Sequence, residues 1–181
     1  AAPVVQAVAE RLPFADWSFD AALAVSTAHH WADRARGMAE MARVAPVRVV
    51  VHWEPADATF HWMVEDYFPE FADLPSIRDG GTSADVAAAL GGAVEVVPFP
   101  VPIDFAEGSG GSFWGRPEEL LDPTVRASIS VFALLDPAVV DRGVGQLADD
   151  LASGRWDERH GHLRSLEHLD VGYRIVVSTE R

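Results

Sequence analysis

The stretch from Ala9 to Trp31, AERLPFADWSFDAALAVSTAHHW, constrains this chain more than any other. A turn carrying Glu10 leads to Leu12-Pro13-Phe14, and Phe19-Asp20 then opens an unbroken apolar run from Ala21 to Val25. A polar loop follows at once and ends in His29-His30-Trp31. Apolar residues in succession, without polar alternation, suit a strand buried on both faces, as strands of parallel sheets are. Ligands bind such sheets beyond the carboxyl ends of their strands. A polar loop in that place is therefore where chemistry belongs.

The surrounding pattern extends this reading. Pro3 to Val8 (PVVQAV) is short, apolar and β-branched, which predicts a strand over Val4–Val8; Phe19–Val25 is a second. Asp33 to Ala45 places Ala35, Met38, Ala42 and Ala45 at helical spacing, with Asp33 as N-cap. Pro46 stops that helix, and Arg48–Trp53 (RVVVHW) is a third strand, completing a βαβ unit. The strand-end rule gathers Ala7 to Glu10, Ser26 to His30, and Trp53-Glu54 around one crevice. Residues 56–115 differ in character: they are rich in aromatics, broken by glycines at 80–81 and 108–111, and include a candidate amphipathic helix with Phe60, Val64, Tyr67, Phe68 and Phe71 on one face. Thr82 with Asp85 starts a short helix through Leu90, and Val94–Phe99 reads as a strand. Asp122-Pro123 and Asp136-Pro137 each set a capping acid before a proline, a helix-start signal. The second of these helices ends at Ser153-Gly154, and Tyr173–Ser178 closes the sheet.

Composition removes several function classes. Twenty-eight acidic residues face fourteen basic ones, all arginine, for a net charge of −14 at pH 7. That charge repels phosphate backbones and anionic membranes, so neither nucleic acid nor membrane is an expected partner. No cysteine is present, which excludes disulfides and thiolate chemistry. No apolar run approaches the ~20 residues that span a bilayer, and a cytoplasmic location is expected. The chain opens at Ala1 without a methionine, which fits a processed protein or a fragment.

The quoted motif resembles the middle of the class I S-adenosylmethionine-dependent methyltransferases of the UbiE/COQ5-like, type 11 group. There AE-x-LPF-x-D-x-SFD leads into the fourth strand of the sheet, and a loop with HHW follows. The resemblance continues through DPTVRASISVFALLDPAVVDRG, DLASGRWDERHGHL and LDVGYRIVVS. It implies an α/β, Rossmann-like, three-layer methyltransferase fold that is incomplete at the N-terminus, with a mostly parallel sheet whose last strand is antiparallel. The whole chain, 1–181, is then one partial domain in which 56–115 form a substrate-covering lid.

The resemblance implies methyl transfer from S-adenosylmethionine to a small-molecule acceptor. It places Ala9 and Glu10 beside the adenine ring, although Glu10 taken alone is also an ordinary turn acid. Ser26 and Thr27 are candidates for the amino-acid end of the cofactor. His29 and His30 are candidates to line the transfer site, with His30 a candidate general base for an acceptor of high pKa. Adjacent histidines cannot share one face of a strand, so they are not expected to act together. Trp31, Trp53, Glu54 and Trp62 are candidates for the substrate pocket; for Trp53 and Glu54 a packed indole and a helix-capping acid are equally good readings. No metal is expected: His160, His162 and His168 lack the spacing of a zinc site and read as a solvated loop. The family's glycine-rich turn is not found ahead of Ala9, so the chain alone is expected to bind the cofactor weakly or not at all. The other reading is a catalytically incompetent remnant that binds small molecules or forms a homodimer through a bare strand edge.

Overall fold

A computed structural model describes residues 3–54, 62–78, 81–106 and 109–180. In chain order the strands and α-helices are β1 (Ala21–Val25), α1 (Arg34–Val44), β2 (Val47–Trp53), α2 (Pro75–Arg78), α3 (Ser83–Leu90), β3 (Ala93–Pro98), β4 (Val101–Pro102), α4 (Pro123–Ser128), α5 (Pro137–Ser153), α6 (Arg155–His160), β5 (His168–Leu169) and β6 (Tyr173–Thr179). They fall into two compact units, Ala1–Glu54 with Gly80–Phe99 and Tyr173–Arg181, and Pro55–Asp79 with Pro100–Gly172.

The first unit is an α/β sheet of order β1-β2-β6-β3. β1 and β2 pair in parallel, with Leu23 opposite Val49 and Val25 opposite Val51. β6 is antiparallel to both β2 and β3. The antiparallel last strand is as expected, but the sheet is mixed, with one parallel pairing and two antiparallel ones. The expected strand at Val4–Val8 does not form. Its described residues make one isolated bridge, Val8 with Arg11, and Val4 is 95% exposed. A strand is held by its ladder, and these residues have no partner strand to supply one.

Register settles which face each side chain shares. Ala24, Val50 and Val176 point to one face and pack with Met38 and Met41 of α1 and Val86 and Leu90 of α3. Within this unit, the described helices α1 and α3 pack on that face. The buried stripe of α1 runs through Met38, Met41 and Val44, while Ala35 is exposed. The larger apolar side chains, not the alanines, decide which way the helix faces. At the amino-terminal end of β2 the buried Arg48 donates to Pro46 O (2.8 Å), Leu90 O (3.3 Å) and Ser178 Oγ (2.8 Å). A cation is favoured there, where the carbonyls at the end of α3 lack helical partners.

The second unit is held by buried aromatics. Trp62 stands edge-on to Tyr67 and Trp156, and Phe68, Phe71 and Phe132 form a second cluster. The single helix expected through Phe71 is not there: Met63–Tyr67 is a π-turn and Pro69–Asp73 a 3₁₀ turn. Pro69 has no N–H to continue a ladder, and Phe60 lies outside the described residues. Asp122 and Asp136 cap α4 and α5 as expected, accepting from Thr124 N and Ala138 N, and Gly154 ends α5 at φ 79°. The expected loop at 157–168 is instead mostly α6 and a 3₁₀ turn, Gly161–Ser165. There His160 Nε2 lies 2.7 Å from Asp66 and Arg159 pairs with both Asp66 and Asp150. Ion pairing and a stacked Trp156 hold the segment helical, information that lies outside the segment itself.

Candidate functional site

β1 and β2 end side by side, and the chain leaves β1 through Ser26 at φ 44°. A positive φ is costly for a residue with a Cβ and persists only where surroundings enforce it. Here Ser26 N donates to Val51 O (3.0 Å), so the turn starts on the last rung of the ladder. A 3₁₀ turn, Ala28–His30, follows, closed by His30 N on Thr27 O and Trp31 N on Ala28 O. Because the segment is a turn and not an extended strand, the two imidazoles lie together, with centroids 3.9 Å apart and planes tilted by 51°. The strand geometry on which they were not expected to act together does not hold for this segment.

His29 is half-buried and His30 exposed. Burial pushes the His29 pKa below its ordinary 6.5, and neighbouring His30, Arg34 and His52 push it the same way. At neutral pH it is an uncharged base. His52, buried at the end of β2, is also depressed by burial, against the opposing pull of its bond to Gly81 O and of Glu54. Its Nε2 lies 3.2 Å from that carbonyl, which can only accept, so Nε2 carries the proton. Sequence reasoning passed over His52. Its signal was there: Arg48, Val50 and His52 share one face of a strand, and a polar side chain at either end of a buried stripe needs a reason.

Glu54, the residue after β2, accepts from both Ser83 N (3.0 Å) and Ser83 Oγ. Thr82 and Asp85 complete a capping box on the same helix end. Of the two readings of Glu54, the contacts are those of a helix-capping acid. Trp53 ends the strand half-buried.

Ala9 and Glu10 sit in the turn closed by Arg11 N on Val8 O. Glu10 Oε1 accepts from Asp33 N (3.0 Å), which lowers its pKa, and Glu10 O accepts from Arg36 Nε (3.3 Å). Asp33 in turn caps α1 through Arg36 N. The turn and the β1 loop therefore meet the same end of α1. The Leu12-Pro13-Phe14 segment is pinned further along that helix. Glu40 accepts from Leu12 N, and Arg43 donates to Leu12 O, Phe14 O and Asp16 while paired with Glu40. Trp31 packs on the core of the unit, over Gly37. Trp62 belongs to the second unit, where it is 3% exposed and donates Nε1 to Trp114 O.

The structure thus brings Ala9, Glu10, Ser26, Thr27, His29, His30 and Trp31 to one end of α1, and it places Trp53 and Glu54 at the adjoining end of β2. Among the described residues no group of three or more His, Asp or Glu side chains is placed to hold a metal ion. Among the described residues, no helix is long and apolar enough to cross a membrane.

Residues 1–46 match the methyltransferase domain family, type 11. The fold is similar to that of an Anabaena variabilis protein described as a methyltransferase from an antibiotic biosynthesis pathway. The two are 29% identical over 97% of this chain and 72% of that one, with a TM-score of 0.88. YcgJ of Bacillus subtilis aligns at 20% identity over 98% of this chain and 70% of its own, with a TM-score of 0.45. None of the curated proteins matches the chain.

Proposed function

We propose that this chain, whose residues 1–46 match the type 11 methyltransferase domain, carries part of a site for S-adenosylmethionine-dependent methyl transfer to a small-molecule acceptor. The observation that supports it most is the convergence of the Ala9-Glu10 turn and the Ser26–His30 loop on one end of α1, beside the carboxyl ends of two parallel strands. The residues fit one side of the cofactor. Ser26 and Thr27 offer hydroxyls to its amino-acid end, and the backbone at Ala9 and Glu10 is available to the adenine edge, since the Glu10 carboxylate is already engaged by Asp33. They do not fit the rest. The Gly91-Gly92 pair leaves the end of α3 and does not open a helix, and the acids described at this end, Glu10, Asp33 and Glu54, already accept from Asp33 N, Arg36 N and Ser83 N.

When bound, the cofactor supplies a methyl group on a good leaving group. The protein's share is then mostly positioning and exclusion of water. His29, half-buried and with its pKa lowered by burial, is the candidate to take a proton from an acceptor hydroxyl, with His30 as the second candidate. Trp31 and Trp53 offer apolar walls, and residues 56–115 are proposed to cover the acceptor. A second reading, a non-catalytic binding module, is favoured by the unpaired edge of β1 and by the lack of a glycine turn from strand to helix among the described residues. Calorimetric titration with S-adenosylmethionine separates the two. A millimolar dissociation constant supports the partial site, and no measurable heat supports the second reading. A micromolar constant would overturn the view that the grip is partial.

A further inference from the structure

The acids described where β1 and β2 end are already engaged by backbone donors. Glu10 accepts from Asp33 N, Asp33 from Arg36 N, Asp85 from Thr82 N and Glu54 from Ser83 N. The neighbouring imidazoles are not engaged in this way. Among the described residues neither the His29 nor the His30 side chain makes a hydrogen bond, and their rings lie against each other with centroids 3.9 Å apart. Two more basic groups meet at Gly81. With φ 76° and no Cβ, it lets Arg34 come close: an added Cβ would lie 3.0 Å from Arg34 Nη1 and 3.7 Å from Asp85 Oδ2. His52 donates Nε2 to the Gly81 carbonyl at 3.2 Å. Arg34, His30 and His52 all stand near enough to disfavour a proton on His29. His52 itself faces Arg34 against Glu54 and Asp85, and its burial outweighs them. His29, His30, Arg34 and His52 thus crowd positive or protonatable groups into one end of a sheet, in a chain of net charge −14. Gathering like charges is unfavourable, and an anion placed among them relieves it.

We propose that His29 and His30, backed by Arg34 and His52, form an oxyanion subsite and that the methyl acceptor carries a carboxylate which binds there. The open hydrogen-bonding capacity at this end belongs to the two imidazoles, so the fitting ligand brings acceptor oxygens. A carboxylate has two of them, one for each ring. A dianion such as phosphate fits less well, because Glu54, Asp85 and the −14 of the whole chain all repel a second negative charge. Seating the carboxylate favours the imidazolium form of His29, which donates from both nitrogens and carries the opposite charge. The imidazole then holds the acceptor; removal of a proton is its part only where a hydroxyl lies against it. The subsite rests on the methyl-transfer reading for one thing alone, that its ligand is the acceptor.

Sodium benzoate, a carboxylate on a small apolar body, is the probe. The 181-residue chain is titrated with it by NMR at constant ionic strength and without cofactor, with benzamide as neutral control and inorganic phosphate as competing anion. Saturable shifts of the His29 and His30 ring resonances are expected, together with a rise in the His29 titration midpoint. By linkage, benzoate should then bind more tightly at about pH 5 than at about pH 8, by about tenfold, a common size of coupling between two bound species. His29→Gln should remove most of that pH dependence, and Arg34→Gln should weaken binding at both pH values, each with unchanged circular dichroism. Should Arg34→Gln unfold, the benzoate-dependent midpoint of the parent chain decides alone. Equal shifts from benzamide, no saturation, or a His29 midpoint that benzoate leaves in place would overturn the subsite, and tighter binding of phosphate would overturn the carboxylate. S-adenosylhomocysteine that binds a chain indifferent to benzoate sinks this inference and spares the methyl-transfer reading; benzoate binding without any response to S-adenosylhomocysteine does the reverse.

Discussion

Gly37 is where the packing of the candidate loop can be tested against a known opposing effect. An alanine Cβ at this position in α1 would lie 2.4 Å from Trp31 Cε3 and 2.7 Å from Cζ3, far inside the ~3.5–4.0 Å at which carbon atoms rest. Trp31 cannot swing away freely, since its N–H closes the 3₁₀ turn on Ala28 O and its ring packs on the core. Overpacking of this kind costs about 1–3 kcal/mol. Removing a helical glycine returns about 1 kcal/mol. The clash should win, leaving Gly37→Ala less stable by up to about 2 kcal/mol and moving its urea midpoint down by up to about 1 M for a slope near ~2 kcal/mol/M. The decisive comparison is made in a Trp31→Leu background, where the ring is gone and helix propensity alone remains. There the same alanine should be neutral or stabilising by up to ~1 kcal/mol. Urea unfolding followed by far-UV circular dichroism reads both. An alanine that stabilises the parent chain, or acts alike in both backgrounds, would refute the reasoning.

Three further outcomes are expected. Arg43 beside it, and then the Leu12 N–H, hold the Glu40 carboxyl at about 2 against an ordinary 4.5; its folded pKa is depressed, so its stabilisation is present above pH 4.5 and is lost as pH falls towards 2. Urea midpoints measured against pH should therefore drop across that window, and less steeply in Glu40→Gln. His29 and His52 should each titrate below 6.5 by NMR, so that their neutral forms stabilise the fold above that pH and the benefit fades as pH falls; His30→Ala should move the His29 midpoint upward, because one depressing neighbour is gone. Glu54→Ala should cost about 1 kcal/mol and speed hydrogen exchange in the first turn of α3, where Ser83 N loses its acceptor.

Local chemistry made much of this fold legible. Asp33, Thr82, Asp122 and Asp136 all cap the helices that their positions announce, because a cap is decided within three residues. The βαβ core was legible too, while the antiparallel last strand followed from the family resemblance. What the sequence could not show depended on distant partners. Val4–Val8 has the composition of a strand and no ladder to join. α6 owes its form to Asp66, Asp150 and Trp62 as much as to its own residues. At the candidate site the loop and turn were visible as polar breaks after apolar runs. His52 and the Glu54–Ser83 contact were not, since they depend on where α3 returns to the end of β2.

The central claim is that the Ala9-Glu10 turn and the Ser26–His30 loop form one side of a methyl-transfer site. Titrating isotope-labelled chain with millimolar S-adenosylhomocysteine, and following backbone and imidazole resonances, tests it most directly. Progressive shifts confined to Ala9, Glu10, Ser26, Thr27 and His29 are the predicted result. Shifts centred at the opposite end of the sheet, around Arg48, Gly91 and Gly92, or no shifts at all, would contradict the account.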